Sequence, residues 1–145
     1  MPVYIDIYRC IGCRSCEVAC QRVNAGSAHI NVHIVGDQAS VPIFCHHCEE
    51  AYCTVVCSSG ALHKEGKRMV FNEEKCTGCG LCRLACPFGV IWTDRIAHKC
   101  NLCEERAQPA CVATCPANAL STDFEQASRR ARSRAARSAA YGGRR

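Results

Sequence analysis

Aromatic residues are scarce in this chain. Nine occur in 145 positions, and only one of them is tryptophan. No stretch approaches the ~18–20 consecutive apolar residues of a membrane span. The opening, MPVYIDIYRC, has neither a basic stretch followed by an apolar run nor an early twin-arginine pair. Without a signal of that kind, the expectation is a reducing, cytoplasmic location, where thiols bind metal or do redox work more often than they form disulfides. There is also no paired acid and base, no activated nucleophile and no glycine-rich phosphate loop. The isolated chain is therefore not expected to be an enzyme.

Apolar residues make up 48% of the composition, but that figure counts 16 cysteines. Without them about 37% remains, thin material for a core at this length. Small scaffolds in this position are stapled by disulfides or metal. The net charge of +5 is unevenly spread: residues 128–145, SRRARSRAARSAAYGGRR, carry seven of the 18 basic residues and no acidic one. The remainder is mildly acidic.

The cysteines fall into four groups of four: Cys10, Cys13, Cys16, Cys20; Cys45, Cys48, Cys53, Cys57; Cys76, Cys79, Cys82, Cys86; and Cys100, Cys103, Cys111, Cys115. Each group opens with two intervening residues and closes with three. The segments after the last cysteine of groups two to four, CSSGALH, CPFGVIW and CPANALS, resemble one another and indicate an internal duplication. The runs VYIDIY (3–8), INVHIV (30–35) and RMVF (68–71) read as short strands. The interval from each third cysteine to just past the fourth reads as a short helical turn.

Three thiols spaced by two residues converge on one site if the loop is tight, and Gly12, Gly78 and Gly80 permit such a loop. In KCTGCGLCRLACPFGVIW (75–92) the fourth cysteine stands one turn further on and points elsewhere, before a proline that turns the chain away. In two-cluster ferredoxins a C-x2-C-x2-C-x3-C-P run gives three ligands to one [4Fe–4S] cluster and the fourth to another. The spacing fits iron–sulfur ligation. A disulfide framework fits the count but not the regularity. A zinc-binding interaction module is the alternative of another class, although zinc sites separate their C-x2-C pairs by longer loops.

Since four thiols are available for each site, His46 and His47 are not needed as ligands, and packing or hydrogen bonding is expected of them. His29, His33, His63 and His98 read as surface or strand positions, and Trp92 as core or as cover over a cluster. Thr122 and Glu125 form a capping box ahead of a helix expected from Asp123 to about Tyr141 and closed by Gly142, with Arg130, Arg134 and Arg137 on one face. Such a tail reads either as a solvated, partly disordered terminus or as a dock for an acidic protein surface. Nucleic acid is not expected as a partner, because no aromatic residues interleave the arginines.

Residues 3–122 resemble the four-cluster, ferredoxin-like electron-transfer subunits of molybdenum and tungsten enzymes, hydrogenases and carbon monoxide dehydrogenases. CHHCEEAYCTVVCSSGAL and KCNLCEERAQPACVATCPANAL are similar to that family's second and fourth motifs. The resemblance implies an α+β fold of two fused bacterial-ferredoxin-like modules. Residues 1–35 and 94–127 would form the first, residues 36–93 the second, and 128–145 a basic helix or tail.

It also implies four [4Fe–4S] clusters in a row, held by quartet A (Cys10, Cys13, Cys16, Cys115), quartet B (Cys20, Cys100, Cys103, Cys111), quartet C (Cys45, Cys48, Cys53, Cys86) and quartet D (Cys57, Cys76, Cys79, Cys82). The implied role is an electron wire between a catalytic subunit and a second redox partner, such as a flavin- or NAD-linked subunit. The small size is similar to the ferredoxin subunits of tungsten-dependent aldehyde oxidoreductases; carbon monoxide dehydrogenase, hydrogenase and formate dehydrogenase subunits are the alternatives. Copies stacking end to end would extend the wire. Two features bear on the fit. Ser58 replaces the family's proline and implies a looser turn, whereas Cys79 stands where some relatives have tryptophan and a three-iron cluster.

Overall fold

Each cysteine group carries a helix that begins one residue before its third cysteine: α1 (Ser15–Val23), α2 (Tyr52–Val55), α3 (Leu81–Ala85) and α4 (Ala110–Ala113). The structure is a computed structural model and describes residues 2–36, 39–129, 132, 133 and 136. A three-residue gap is one helical turn, so the fourth cysteine emerges about one turn beyond the third. Helix α1 alone runs well past its fourth cysteine, and it buries Cys16 and Cys20 on one face at i, i+4 spacing.

The strands are β1 (Tyr4–Ile5), β2 (Ile30–Val35), β3 (Ala39–Phe44), β4 (Leu62–Glu65), β5 (Arg68–Phe71), β6 (Trp92–Thr93), β7 (Ala97–His98) and β8 (Leu120–Ser121). They form four antiparallel pairs: β1 with β8, β2 with β3, β4 with β5, and β6 with β7. The strands read in 30–35 and 68–71 keep those ends, while the run at 3–8 contracts to two residues. Pairing of Tyr4 with Ser121 and of Ile5 with Leu120 brings the two sequence ends of the first core together.

Two separate cores result. Cys16, Cys20, Ile30, Val32, Phe44, Val112 and Leu120 form one, under the packed pair α1 and α4. Leu62, Cys82, Ile91 and Ala97 form the other, beneath α2 and α3. Each fully buried aliphatic or aromatic side chain contributes roughly 1.5–3 kcal/mol, and so few of them leave the cysteines as a large share of both cores. Hairpin β2–β3 crosses the 35/36 boundary and hairpin β6–β7 the 93/94 boundary. Phe44 accordingly belongs to the first core and Ala97 to the second.

After the fourth cysteine of three groups the chain closes the same turn. Gly60 N donates to Cys57 O at 3.1 Å, Gly89 N to Cys86 O at 3.2 Å and Asn118 N to Cys115 O at 3.1 Å. The donors adopt φ values of 67°, 62° and 49°, a region that glycine and asparagine enter most readily. The turn after Cys57 is therefore no looser for having Ser58 in place of proline. The left-handed residue sets it, and the proline is dispensable.

The helix start near residue 123 also differs from expectation. Gln126 N donates to Asp123 Oδ1 at 3.1 Å, so Asp123 caps the helical residues 124–129 in place of Thr122. Aspartate is the stronger cap. Arg130, Arg134, Arg137, Tyr141 and Gly142 lie outside the described residues.

Candidate metal centres

Loop geometry is shared by all four groups. The second residue inside each C-x2-C has positive φ: Gly12 68°, His47 49°, Gly78 70° and Leu102 59°. Arg14 at 57° and Gly80 at 76° repeat this just before α1 and α3. Alternating left-handed residues curl the backbone around one point, so that successive thiols face inward. Gly12 and Gly78 were legible as loop formers. His47, Leu102 and Arg14 carried no such signal, since their types disfavour this region by roughly 1–2 kcal/mol.

The sulfurs gather as follows. Cys57, Cys76, Cys79 and Cys82 line one cavity, together with Ala61, Leu62 and Phe71. Cys20, Cys100, Cys103 and Cys111 line a second, and Cys10, Cys13, Cys16 and Cys115 a third. Cys53 lies close enough to Cys45, Cys86 and Cys48 for their charge to add to the effect of burial, which together push its thiol up to about 11.

No carboxylate lines the three cavities among the described residues. Nor, among those residues, do three His, Cys, Asp or Glu side chains converge as ligands of a single ion. Four soft sulfur donors around each of the three cavities suit an iron–sulfur cluster.

Burial decides the acidity of these thiols. It pushes Cys100 and Cys111 up to about 12 and Cys16 up to about 11. A metal held by these thiols would have to displace their protons, with the cation's own charge supplying the drive. Cys13 is held below the ordinary thiol value by its hydrogen bond with Ser15, at 3.4 Å.

Backbone amides donate to sulfur elsewhere: His29 N to Cys20 at 3.2 Å, Leu62 N to Cys57 at 3.3 Å, Ala110 N to Cys103 at 3.4 Å and Ala119 N to Cys115 at 3.2 Å. Most come from the residues leading into the next strand or helix, beyond the tight cysteine loops themselves. Such bonds stabilise the reduced cluster and raise its potential.

The histidines divide by role. His46 packs between Phe44 and Phe88, with ring centroids 5.8 and 4.2 Å away. His47 Nδ1 accepts from Met69 N at 3.0 Å. Trp92 stacks on its cross-strand partner His98 at 3.9 Å and 10°; it lines none of the three cavities. His33 is exposed on β2 and His63 half-buried on β4. His29 departs from the surface reading, because both of its ring nitrogens are buried without a hydrogen-bond partner.

Sequence reasoning also missed Lys99, which is 4% exposed. Its Nζ donates to Met69 O and Cys100 O, both at 2.8 Å. Burial lowers its pKa, while the adjacent Cys45, Cys100 and Cys53 act in the opposite sense. The dipeptide Lys-Cys gave no warning, for Lys75 before Cys76 is exposed.

Cavities that each gather four cysteines, on paired helix-and-hairpin units, define an iron–sulfur protein of ferredoxin type. Residues 37–124 match the 4Fe–4S dicluster domain family and residues 7–24 a 4Fe–4S binding domain. The chain belongs to the 4Fe–4S dicluster family.

It is 38% identical over 136 residues to the thiosulfate reductase electron transfer subunit PhsB of Salmonella typhi, covering 79% of this chain and 71% of PhsB. To the B subunit of the anaerobic dimethyl sulfoxide reductase of Escherichia coli it is 34% identical over 143 residues, covering 81% of this chain and 70% of that subunit. Escherichia coli UacF is 42% identical over 123 residues, but the match covers 77% of this chain and only 19% of UacF. The chain thus spans about a fifth of UacF's length. No helix among the described residues is long and apolar enough to cross a membrane.

Proposed function

We propose that this iron–sulfur electron-transfer chain holds four [4Fe–4S] clusters, bound by quartets A to D, and conducts electrons along them in that order. The observation that carries the reading is the meeting of distant sulfurs: Cys57 with Cys76, Cys79 and Cys82 around one cavity, and Cys115 with Cys10, Cys13 and Cys16 around another. Neighbouring quartets are linked by short paths. Cys16 and Cys20 of α1 join A to B, Cys100 lies near Cys45 between B and C, and α2 and α3 connect C to D. The clusters supply one-electron redox chemistry when bound. The protein's part is to fix their spacing, exclude water from the middle pair and set the hydrogen bonds to sulfur.

Of the sixteen cysteines only Cys13 and Cys79 are exposed. One belongs to quartet A and the other to quartet D, which makes these the two points of electrical contact with partners. PhsB and the dimethyl sulfoxide reductase B subunit are named as parts of reductases, and a catalytic oxidoreductase subunit is the partner proposed at one end. A molybdenum or tungsten enzyme fits that place, and a flavin- or NAD-linked redox partner, or a second copy of the chain, the other. The sixteen free thiols suit a reducing, cytoplasmic setting. With each oxidised cluster at about −2, four turn the sequence charge of +5 into about −3. In this reading the chain itself makes and breaks no substrate bonds.

Anaerobic purification tests the proposal. Broad brown absorption and about sixteen irons per chain are expected; a colourless protein holding zinc would reject it.

A further inference from the structure

A buried charge needs a counter-charge, and Lys99 lacks the usual one. Its two hydrogen bonds go to neutral carbonyls, Met69 O of β5 and Cys100 O. None of the ion pairs among the described residues includes it. Arg68, a cation whose charge acts on it, is tied to Glu104. Glu73, Asp94 and Glu104 line a cavity with Lys99, but the negative groups that act on it most strongly are sulfurs, and they come from two sites: Cys45 and Cys53 of quartet C, and Cys100 of quartet B.

Resting on the four-cluster reading above, we propose that Lys99 is the shared counter-charge of quartets B and C, raising the electron affinity of both middle clusters together. A cluster passes from about −2 to about −3 when it takes an electron. Adjacent clusters therefore oppose each other's reduction, most severely where water is excluded. An amide bonded to one sulfur favours one cluster alone. An ammonium placed between two favours whichever holds the electron, and so keeps the step between the two cores level. Each transfer moves one electron from one cluster to its neighbour; the lysine stays charged throughout and no proton moves. The exposed Lys75, in the same position before Cys76 of quartet D, has water for its counter-environment and exerts a far weaker effect.

Redox titrations of the intact, iron-loaded protein followed by electron paramagnetic resonance test this, with Lys99→Gln, Lys99→Met and Lys99→Arg beside the unmodified chain. Glutamine retains a donor without the charge, and arginine retains the charge. Both neutral variants should lower the reduction equilibrium of two of the four clusters at least tenfold, about 59 mV for a one-electron couple. The other two clusters, and all four in Lys99→Arg, should stay within about threefold. The proposal is overturned if none, one or all four clusters shift, or if Lys99→Arg behaves like Lys99→Gln. Loss of iron from Lys99→Gln also overturns it, since that marks a strut between Met69 and Cys100. Fewer than about sixteen irons in the unmodified protein would instead bring down the four-cluster reading.

Discussion

Gly78 lies directly against the carbonyl oxygen of Arg95, leaving no room for a side-chain carbon. Its counterpart Gly12 faces Ser40 instead, where an added Cβ would meet Oγ at 2.7 Å and Ser40 Cβ at 3.4 Å. Both glycines have left-handed backbone, at 70° and 68°. One contact is with backbone that cannot yield, the other with a hydroxyl that can rotate. Gly78→Ala should abolish binding at quartet D, with a loss of about four irons per chain. Gly12→Ala should retain its iron and lose about 1–2 kcal/mol of stability, part of it restored by adding Ser40→Ala. Iron analysis and anaerobic denaturation of the three proteins check this; equal losses in both single variants would contradict it.

Sulfur from Cys16, Cys20 and Cys82 is part of the two cores, with Cys111, Cys115, Cys53, Cys57, Cys76 and Cys86 packed against them. Without metal those thiols have little to hold them together. Anaerobic chelation should collapse both cores, because metal binding supplies folding free energy directly. Circular dichroism and proton spectra recorded as iron leaves would show it. An iron-free chain with native spectra would not fit.

Met69 and Glu104 both stand at the junction between the halves, with very different leverage. Met69 is 2% exposed, and its backbone bonds both His47 and Lys99. Met69→Ala should cost about 2–5 kcal/mol. Glu104 pairs with Arg68, but its side chain is 54% exposed, so Glu104→Ala should cost no more than about 1 kcal/mol. Denaturant midpoints of the two iron-loaded variants make the comparison.

Exposure of Cys13 and Cys79 also predicts where damage begins. Brief treatment with oxygen or ferricyanide should release iron from quartets A and D before B and C, giving a plateau near half of the initial iron, about eight per chain. Mass spectrometry should find the first oxidised cysteines in those quartets. Uniform loss from all four would count against the assignment of A and D as the ends.

At the start of the last described helix, Asp123→Ala should cost about 0.5–2 kcal/mol of local stability, whereas Thr122→Ala should change little. Proteolysis near residues 124–129, read as cleavage rate, distinguishes the two. The reverse ranking would restore Thr122 as the cap.

Several local elements were legible because their cause is local. The β-branched alternation of INVHIV marks β2, and the one-turn gap between third and fourth cysteines marks all four helices. Strand β3 is hard to read in the sequence because it contains Pro42, which weakens any strand assignment. In a two-stranded hairpin, however, one side needs no further ladder, and Pro42 sits buried opposite Val32 without loss. Strands β6 and β7 are two residues each, too short to show a period. Neither Lys99 nor His29 announced its burial, since both are ordinarily surface residues.

By itself the sequence determined the donor set and the loops: sixteen thiols, spaced so that backbone geometry within about ten residues turns three of them toward one point. Tertiary structure decided which distant sulfur joins each of the three cavities, because that depends on α1 packing on α4, α2 on α3, and β1 on β8. It also decided that Lys99 is buried and its twin Lys75 exposed. Local dihedral preferences act over a few residues, whereas burial is a property of the assembled chain.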